Sequence, residues 1–146
     1  VRFYNHTVLK ESRFEKLNHF IYSKELATPI FQNVVAASIY CALNINFKRI
    51  YLFGVEHSWL NNIYVNKDNV VCLKEEHFYE VQSVSPLFNG QGKNYKLHEL
   101  LFDYGNMFLG YSIIEKYSKY KNASIINMTE NSFIDSFNRK SFNEIC

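Results

Sequence analysis

No stretch constrains this chain more than Phe31 to Trp59. Val34, Val35, Ser38, Ile39, Ala42 and Leu43 recur at the three- and four-residue steps of a helix. Asn46–Phe47–Lys48 reads as a tight connection. Arg49–Gly54 then combines β-branched and aromatic residues without alternation, the pattern of a strand covered on both faces. A helix followed at this distance by a strand is half of a βαβ unit. Ligands of open α/β sheets lie beyond the carboxyl ends of the strands. The strand opens onto Glu56, His57 and Ser58, three groups able to do chemistry, so that is the edge to search.

The rest of the chain fits one α/β pattern. Val1–Tyr4 reads as a short strand ending at Asn5–His6–Thr7. From Glu11 to Leu26, Phe14, Leu17, Phe20 and Ile21 form an apolar stripe opposite Arg13, Glu15, Lys16 and Lys24. That stripe suits either the packed side of an amphipathic helix or a lid over a site. Thr28–Pro29 supplies a cap and a first-turn proline for the next helix. Tyr64–Val65 and Val70–Leu73 flank the polar turn Asn66–Asn69, a hairpin signal, within an otherwise irregular stretch from Val55 to Lys93. A long helix follows from about Lys93 to Tyr120, where Gly105 and Gly110 mark close packing or a bend. Ala123–Met128 is a second buried strand, Thr129–Ser132 its polar outlet, and Phe133–Phe137 a short closing helix.

Composition narrows the function. With 146 residues, 47% hydrophobic and 21% charged, the chain is large enough for a real core. Aromatic residues reach 17%, almost all Tyr and Phe. A net charge of +2 with no basic stripe carries no nucleic-acid footprint. No apolar run approaches the roughly 18 residues of a membrane span, which leaves peripheral membrane association as the open route to a bilayer. Cys41, Cys72 and Cys146 make an odd set without CxxC spacing, the inventory of a reduced, cytoplasmic protein. Glu75, Glu76, His77 and Glu80 lack any paired-histidine metal spacing, so no metal and no cofactor is expected. Walker, GxGxxG and GxSxG motifs are absent from the sequence.

Handedness brings distant segments together. In a right-handed βαβ unit the helix starts on the edge where the strands end. Gln32–Asn33, Gly54–Ser58 and Asn127–Ser132 therefore meet, and the start of the long helix, with Lys96 and His98, points there too. A helix N-terminus offers free N–H groups to an anion. Each member also has a plainer reading: Gly54 as strand terminator, Glu56 as a solvated loop acid, His57 and His98 as structural histidines, Tyr79 as core.

The run FKRIYLFGVEHSW, Phe47 to Trp59, resembles a bacterial surface-polysaccharide family whose pattern is an alanine-rich helix followed by G-F-K-E-I-Y-L-[LI]-G-[VC]-D-H-[SD]-W. Lys74–Glu80 (KEEHFYE), Lys96–Leu100 (KLHEL) and Ile126–Phe137 (INMTENSFIDSF) resemble it in order and spacing. The group is similar to 6-hydroxymethylpterin diphosphokinase-like proteins and to motility accessory factors that glycosylate flagellin. More distantly it resembles Rossmann-like bacterial sialyltransferases, in which a G-I-D-F-Y segment lines a CMP-sugar site and a later histidine is the base. Gly54–Val55–Glu56–His57–Ser58 falls at that segment, with Glu56 in place of Asp and Ser58 in place of an aromatic residue. The glycine-bearing strand–turn–helix that opens those families has no counterpart here.

The expectation is therefore a single α/β domain over residues 1–146: a Rossmann-like parallel sheet with flanking helices, lacking its N-terminal βα elements, the C-terminal part of a larger glycosyltransferase-like domain. The resemblance implies a metal-independent, sialyltransferase-like transferase of surface-glycan synthesis. Its partners would be a nucleotide sugar, CMP-linked first, and a glycan or protein acceptor; homo-oligomerisation stays open. Gln32, Asn33, Gly54, Ser58, Asn127 and Thr129 would bind the nucleotide, His77 and Tyr79 the substrate, and His57, His98 and Glu56 would be catalytic. Two alternatives remain: Mg²⁺-dependent diphosphate transfer from ATP to a pterin alcohol, and a binding module that kept the fold and lost the chemistry.

Overall fold

The computed structural model describes residues 7–10, 13–75 and 83–144. The expected strand at Val1–Tyr4, the residues Glu11, Glu76, His77, Tyr79 and Glu80, and Cys146 lie outside the described residues. The chain divides into two compact units, one of residues 1–56 and 105–146, the other of residues 57–104.

The first unit is mixed α/β. It contains helices α1 (Glu15–Ser23) and α2 (Val34–Asn44), strand β1 (Arg49–Leu52), most of the long helix α3 (Leu97–Tyr120) and strands β5 (Ser124–Asn127) and β6 (Asn138–Arg139). The sheet is parallel in the order β1-β5-β6, with Arg49 opposite Ser124, Leu52 opposite Asn127, and Asn127 in turn opposite Arg139. The carboxyl ends of all three strands thus fall on one edge. The second unit holds β2 (Ile63–Val65), β3 (Val71–Glu75) and β4 (Ser83–Pro86), an antiparallel sheet in that order. Its first hairpin is the expected one. Asn66 Oδ1 accepts from the Asp68 and Val70 amides at 3.0 and 2.9 Å, and Asn69 takes the left-handed conformation at φ 57°. Among the described residues no helix is long and apolar enough to cross a membrane.

Four local expectations are corrected. The cap of α2 is Asn33, whose Oδ1 accepts from the Ala36 amide at 2.9 Å, five residues beyond Thr28. Thr28 instead pairs with Val8 as a short parallel bridge and is buried with Pro29. The strand at Arg49 is not covered on both faces. Only Leu52 is buried, and β1 hydrogen-bonds to β5 alone among the described residues. The segment 133–137 is irregular, not helical, with Ser132, Ile134 and Phe137 buried. The irregular stretch after Val55 contains a whole three-stranded sheet.

The face of α1 is also inverted. Phe14, Leu17 and Phe20 are 72%, 54% and 49% exposed, while Asn18, His19 and Tyr22 point inward. The core explains why. Tyr22, Tyr40, Tyr111 and Tyr117 are all fully buried, and each phenol donates to an internal acceptor. Tyr22 OH reaches Leu9 O at 2.6 Å, Tyr40 OH the carbonyls of Tyr22 and Ala27, Tyr111 OH reaches Asn33 Oδ1 at 3.1 Å, and Tyr117 OH reaches Asn44 Oδ1. A buried tyrosine contributes its ring area and needs one partner for its hydroxyl. His19 completes this aromatic cluster, its ring 5.7 Å from Tyr117 and 5.3 Å from Tyr120.

The same burial sets an alkaline limit. Loss of solvent pushes the Tyr111 phenol up to about 12, against a smaller opposing effect of its bond to Asn33. A group whose pKa is raised by folding contributes stability that is whole below its unfolded value and lost as pH climbs through the folded one. For Tyr111 that window runs from about pH 10 to 12, and two units correspond to roughly 2–3 kcal/mol. Urea unfolding at pH 8 and pH 11.5 is expected to show a steeper loss for the wild type than for Tyr111→Phe. Parallel losses would mean that ionisation of Tyr111 is not what limits the fold.

Candidate functional site

The ends of β1 and β5 are wired together by short polar residues. Thr129 Oγ1 accepts from the Val55 amide at 3.0 Å and donates to Leu52 O at 3.4 Å, and Met128 N bonds Leu52 O at 2.9 Å. Ser132 Oγ donates to Val55 O at 2.6 Å and accepts from the Ile134 amide, and Phe133 N reaches Glu56 O at 2.7 Å. Asn127, 1% exposed, accepts from the Thr129 amide at 3.0 Å and donates to Ile134 O at 3.3 Å. Of the predicted convergence of Gln32–Asn33, Gly54–Ser58 and Asn127–Ser132, these bonds join Val55 and Glu56 to the segment from Thr129 to Phe133. What the sequence could not tell is that these polar groups are engaged by the chain itself.

A hollow of about 510 Å³ opens on this edge. Asn127, Met128, Thr129, Glu130 and Asn131 form one wall, and Arg139, Lys140 and Ser141 form another. Phe53 and Phe142 also line it, 59% and 66% exposed. Arg139 Nη2 donates to the carbonyls of Ser132 and Ile134, bracing the β5–β6 loop. Lys140 N reaches Asn127 O, and no ion-pair partner holds its ammonium among the described residues. Glu144 lies close enough for Lys140 to lower its pKa slightly, but the larger lowering comes from the Ser141 amide and then the Ser141 hydroxyl, which bond its carboxylate at 2.5 and 2.9 Å. That is the carboxylate half of a capping box, since the Glu144 amide bonds the Ser141 carbonyl and not its hydroxyl.

Gly54 sits beside this edge at φ +65°, a conformation that suits glycine, and nothing lies within 4 Å of where a Cβ would be. Asn33 stands at the amino end of α2, where its Nδ2 is buried without an acceptor among the described residues; Gln32 beside it is exposed. The carboxylate of Glu56 is exposed, and the bond that holds this residue runs through its carbonyl.

The remaining candidates belong to the second unit. His57 is left-handed at φ 53° and opens the 3-10 turn Ser58–Asn62, its ring 4.9 Å from that of Trp59. Trp59 in turn lies 5.1 Å from Tyr104. Ser58 is half-buried in the same turn, and His98 is exposed on the first turn of α3. His77 and Tyr79 lie outside the described residues.

Sequence reasoning missed Phe53, Arg139, Lys140 and Phe142, and reached Glu130 and Asn131 only as members of the Asn127–Ser132 segment. The only advance signals were the adjacent cations Arg139–Lys140 and the Ser141-x-x-Glu144 box that follows them. Comparison with protein-family models, with curated proteins and with solved structures yields no match to this chain.

Proposed function

We propose that this chain is a glycosyltransferase-like protein of cell-surface glycan synthesis that binds a nucleotide sugar, a CMP-sugar first, at the carboxyl edge of its parallel sheet. The observation that carries the reading is the hollow where β1, β5 and β6 end, lined by Phe53, Arg139 and Lys140. Parallel sheets place ligands at this edge, and a few hundred cubic ångströms suit a nucleotide. The resemblance of Gly54–Ser58 to the CMP-sugar segment of sialyltransferases points the same way.

In this reading Gly54 lets the ligand approach the backbone, and the exposed Gln32 contacts it at the α2 terminus, which Asn33 caps with its Nδ2 buried. Asn127 and Thr129 bound the nucleotide pocket. In transfer, Glu56 takes the acceptor hydroxyl proton. The acceptor oxygen bonds the anomeric carbon as the bond to the phosphate oxygen breaks, and CMP leaves with the electron pair. The proposed reaction needs no metal.

A thermal-shift panel with CMP, CDP, UDP, GDP and ATP, each with and without Mg²⁺, tests the proposal. A ligand at 100 times its Kd adds about 2.7 kcal/mol, which for a chain of this size is roughly 5–10 °C in Tm. The expected result is a shift with cytidine nucleotides that Mg²⁺ does not change. A shift with ATP only in the presence of Mg²⁺ would replace this reading by diphosphate transfer. No shift with any nucleotide would overturn both.

A further inference from the structure

Deepening that reading, and resting on it, we infer that the hollow divides into a base half and a phosphate half: Phe53 and Phe142 stack the nucleobase, Glu130 accepts from its exocyclic amino group, and Lys140 holds the phosphate. Three observations carry this. Two phenylalanines more than half exposed line one cavity, where water gains nothing from them and a flat ring would cover both. The two cations of the hollow are unequal, because Arg139 is anchored on the Ser132 and Ile134 carbonyls while Lys140 has no ion-pair partner among the described residues. Glu144, the acid nearest in sequence, is held by Ser141 and leaves the ammonium available to a ligand.

The lining also carries Glu130, an acid that a site for bare phosphate would exclude. Mixed charge in one hollow fits a ligand with an anionic end and a hydrogen-donating end. Cytosine and adenine present an amino donor where uracil presents a carbonyl acceptor, and a carboxylate distinguishes the two. In this inference Glu130 is the group that favours cytidine over uridine. Phe53, Glu130, Lys140 and Phe142 are all exposed, so their substitution leaves the core untouched.

Calorimetric titration of the full chain with CMP, UMP and inorganic phosphate tests the division, using Lys140→Gln, Phe142→Ala, Glu130→Gln and, as a remote charge control, Lys119→Gln. Lys140→Gln and Phe142→Ala are each expected to weaken CMP about 10-fold or more, with unchanged Tm in the absence of ligand. Glu130→Gln should bring CMP and UMP affinities together, and Lys119→Gln should change nothing. If CMP binds the wild type and binds Lys140→Gln and Phe142→Ala equally well, the nucleotide sits elsewhere and the inference falls while the proposed function stands. An unchanged CMP-to-UMP ratio in Glu130→Gln removes the base-reading role. If the wild type binds no nucleotide, both the inference and the function beneath it fall.

Discussion

Gly110→Ala is expected to cost about 2 kcal/mol of stability, against the usual gain from replacing a helical glycine. A methyl group at Gly110 would overlap the main-chain carbonyl oxygen of Ile30. That carbonyl cannot easily retreat. Two residues earlier Thr28 is bridged to the Val8 segment through its own N–H and C=O, at 2.8 and 2.9 Å, and Pro29 is fully buried. Three residues later Asn33 is bonded to Tyr111, the neighbour of Gly110 on α3. Overpacking of such a contact costs about 1–3 kcal/mol or more, which outweighs the roughly 1 kcal/mol that alanine gains in a helix interior. Gly105 supplies the contrast. It is exposed on the same helix with nothing within 4 Å of a would-be Cβ, so Gly105→Ala should stabilise by up to about 1 kcal/mol. Urea denaturation of the two variants should therefore move the midpoint in opposite directions. A stabilised Gly110→Ala would mean that the α3 crossing over Ile30 is looser than the structure shows.

The same pair of glycines shows what can be read from a chain and what cannot. Both interrupt an obvious helix, and the sequence marks each only as close packing or a bend. Which of them touches another segment depends on a crossing that no local pattern encodes. The parallel pair β1–β5 was legible because Ile50–Leu52 and Ile125–Ile126 are short apolar runs bounded by polar or turn residues. The hairpin at Asn66 was legible because asparagine can close a turn on its own backbone. The face of α1 was misread because an apolar count ranks Phe14, Leu17 and Phe20 above His19 and Tyr22. This core instead favours rings whose polar atoms find acceptors. β4, the four residues Ser83–Pro86, carries almost no strand signal and exists by pairing with β3. The helix expected at Phe133–Phe137 failed because the chain there is held from outside the segment: Ser132 bonds Val55 O and the Ile134 amide, and an irregular backbone results. At the site, topology brought Gly54 and Asn127–Thr129 together in advance. The flanking Arg139, Lys140 and Phe142 depended on where a two-residue strand falls.

Asn127→Ala is expected to be the most damaging change at the sheet edge, costing about 3 kcal/mol before any ligand is added. Its side chain is 1% exposed and bonds both the Thr129 amide and Ile134 O. Truncation leaves a buried N–H without its acceptor, at about 1–3 kcal/mol, and opens a small void besides. The Ile134 carbonyl suffers less, since Arg139 still donates to it. The Thr129 turn would lose its anchor, and with it the wall of the hollow that Thr129 and Glu130 form. This separates two roles for Asn127 that its position alone leaves equal. A residue that only contacts ligand would, on truncation, lower affinity and leave the midpoint in urea unchanged. A residue that holds the wall would lower both, and Thr129→Val would follow it more mildly, because valine keeps the shape but loses the Val55 and Leu52 bonds. Measuring unfolding and CMP binding on the same two variants decides between them. The hydrogen bonds predict that stability falls in both variants. If Asn127→Ala unfolds at the wild-type urea concentration, the wiring of the β1 and β5 ends is not what shapes this edge.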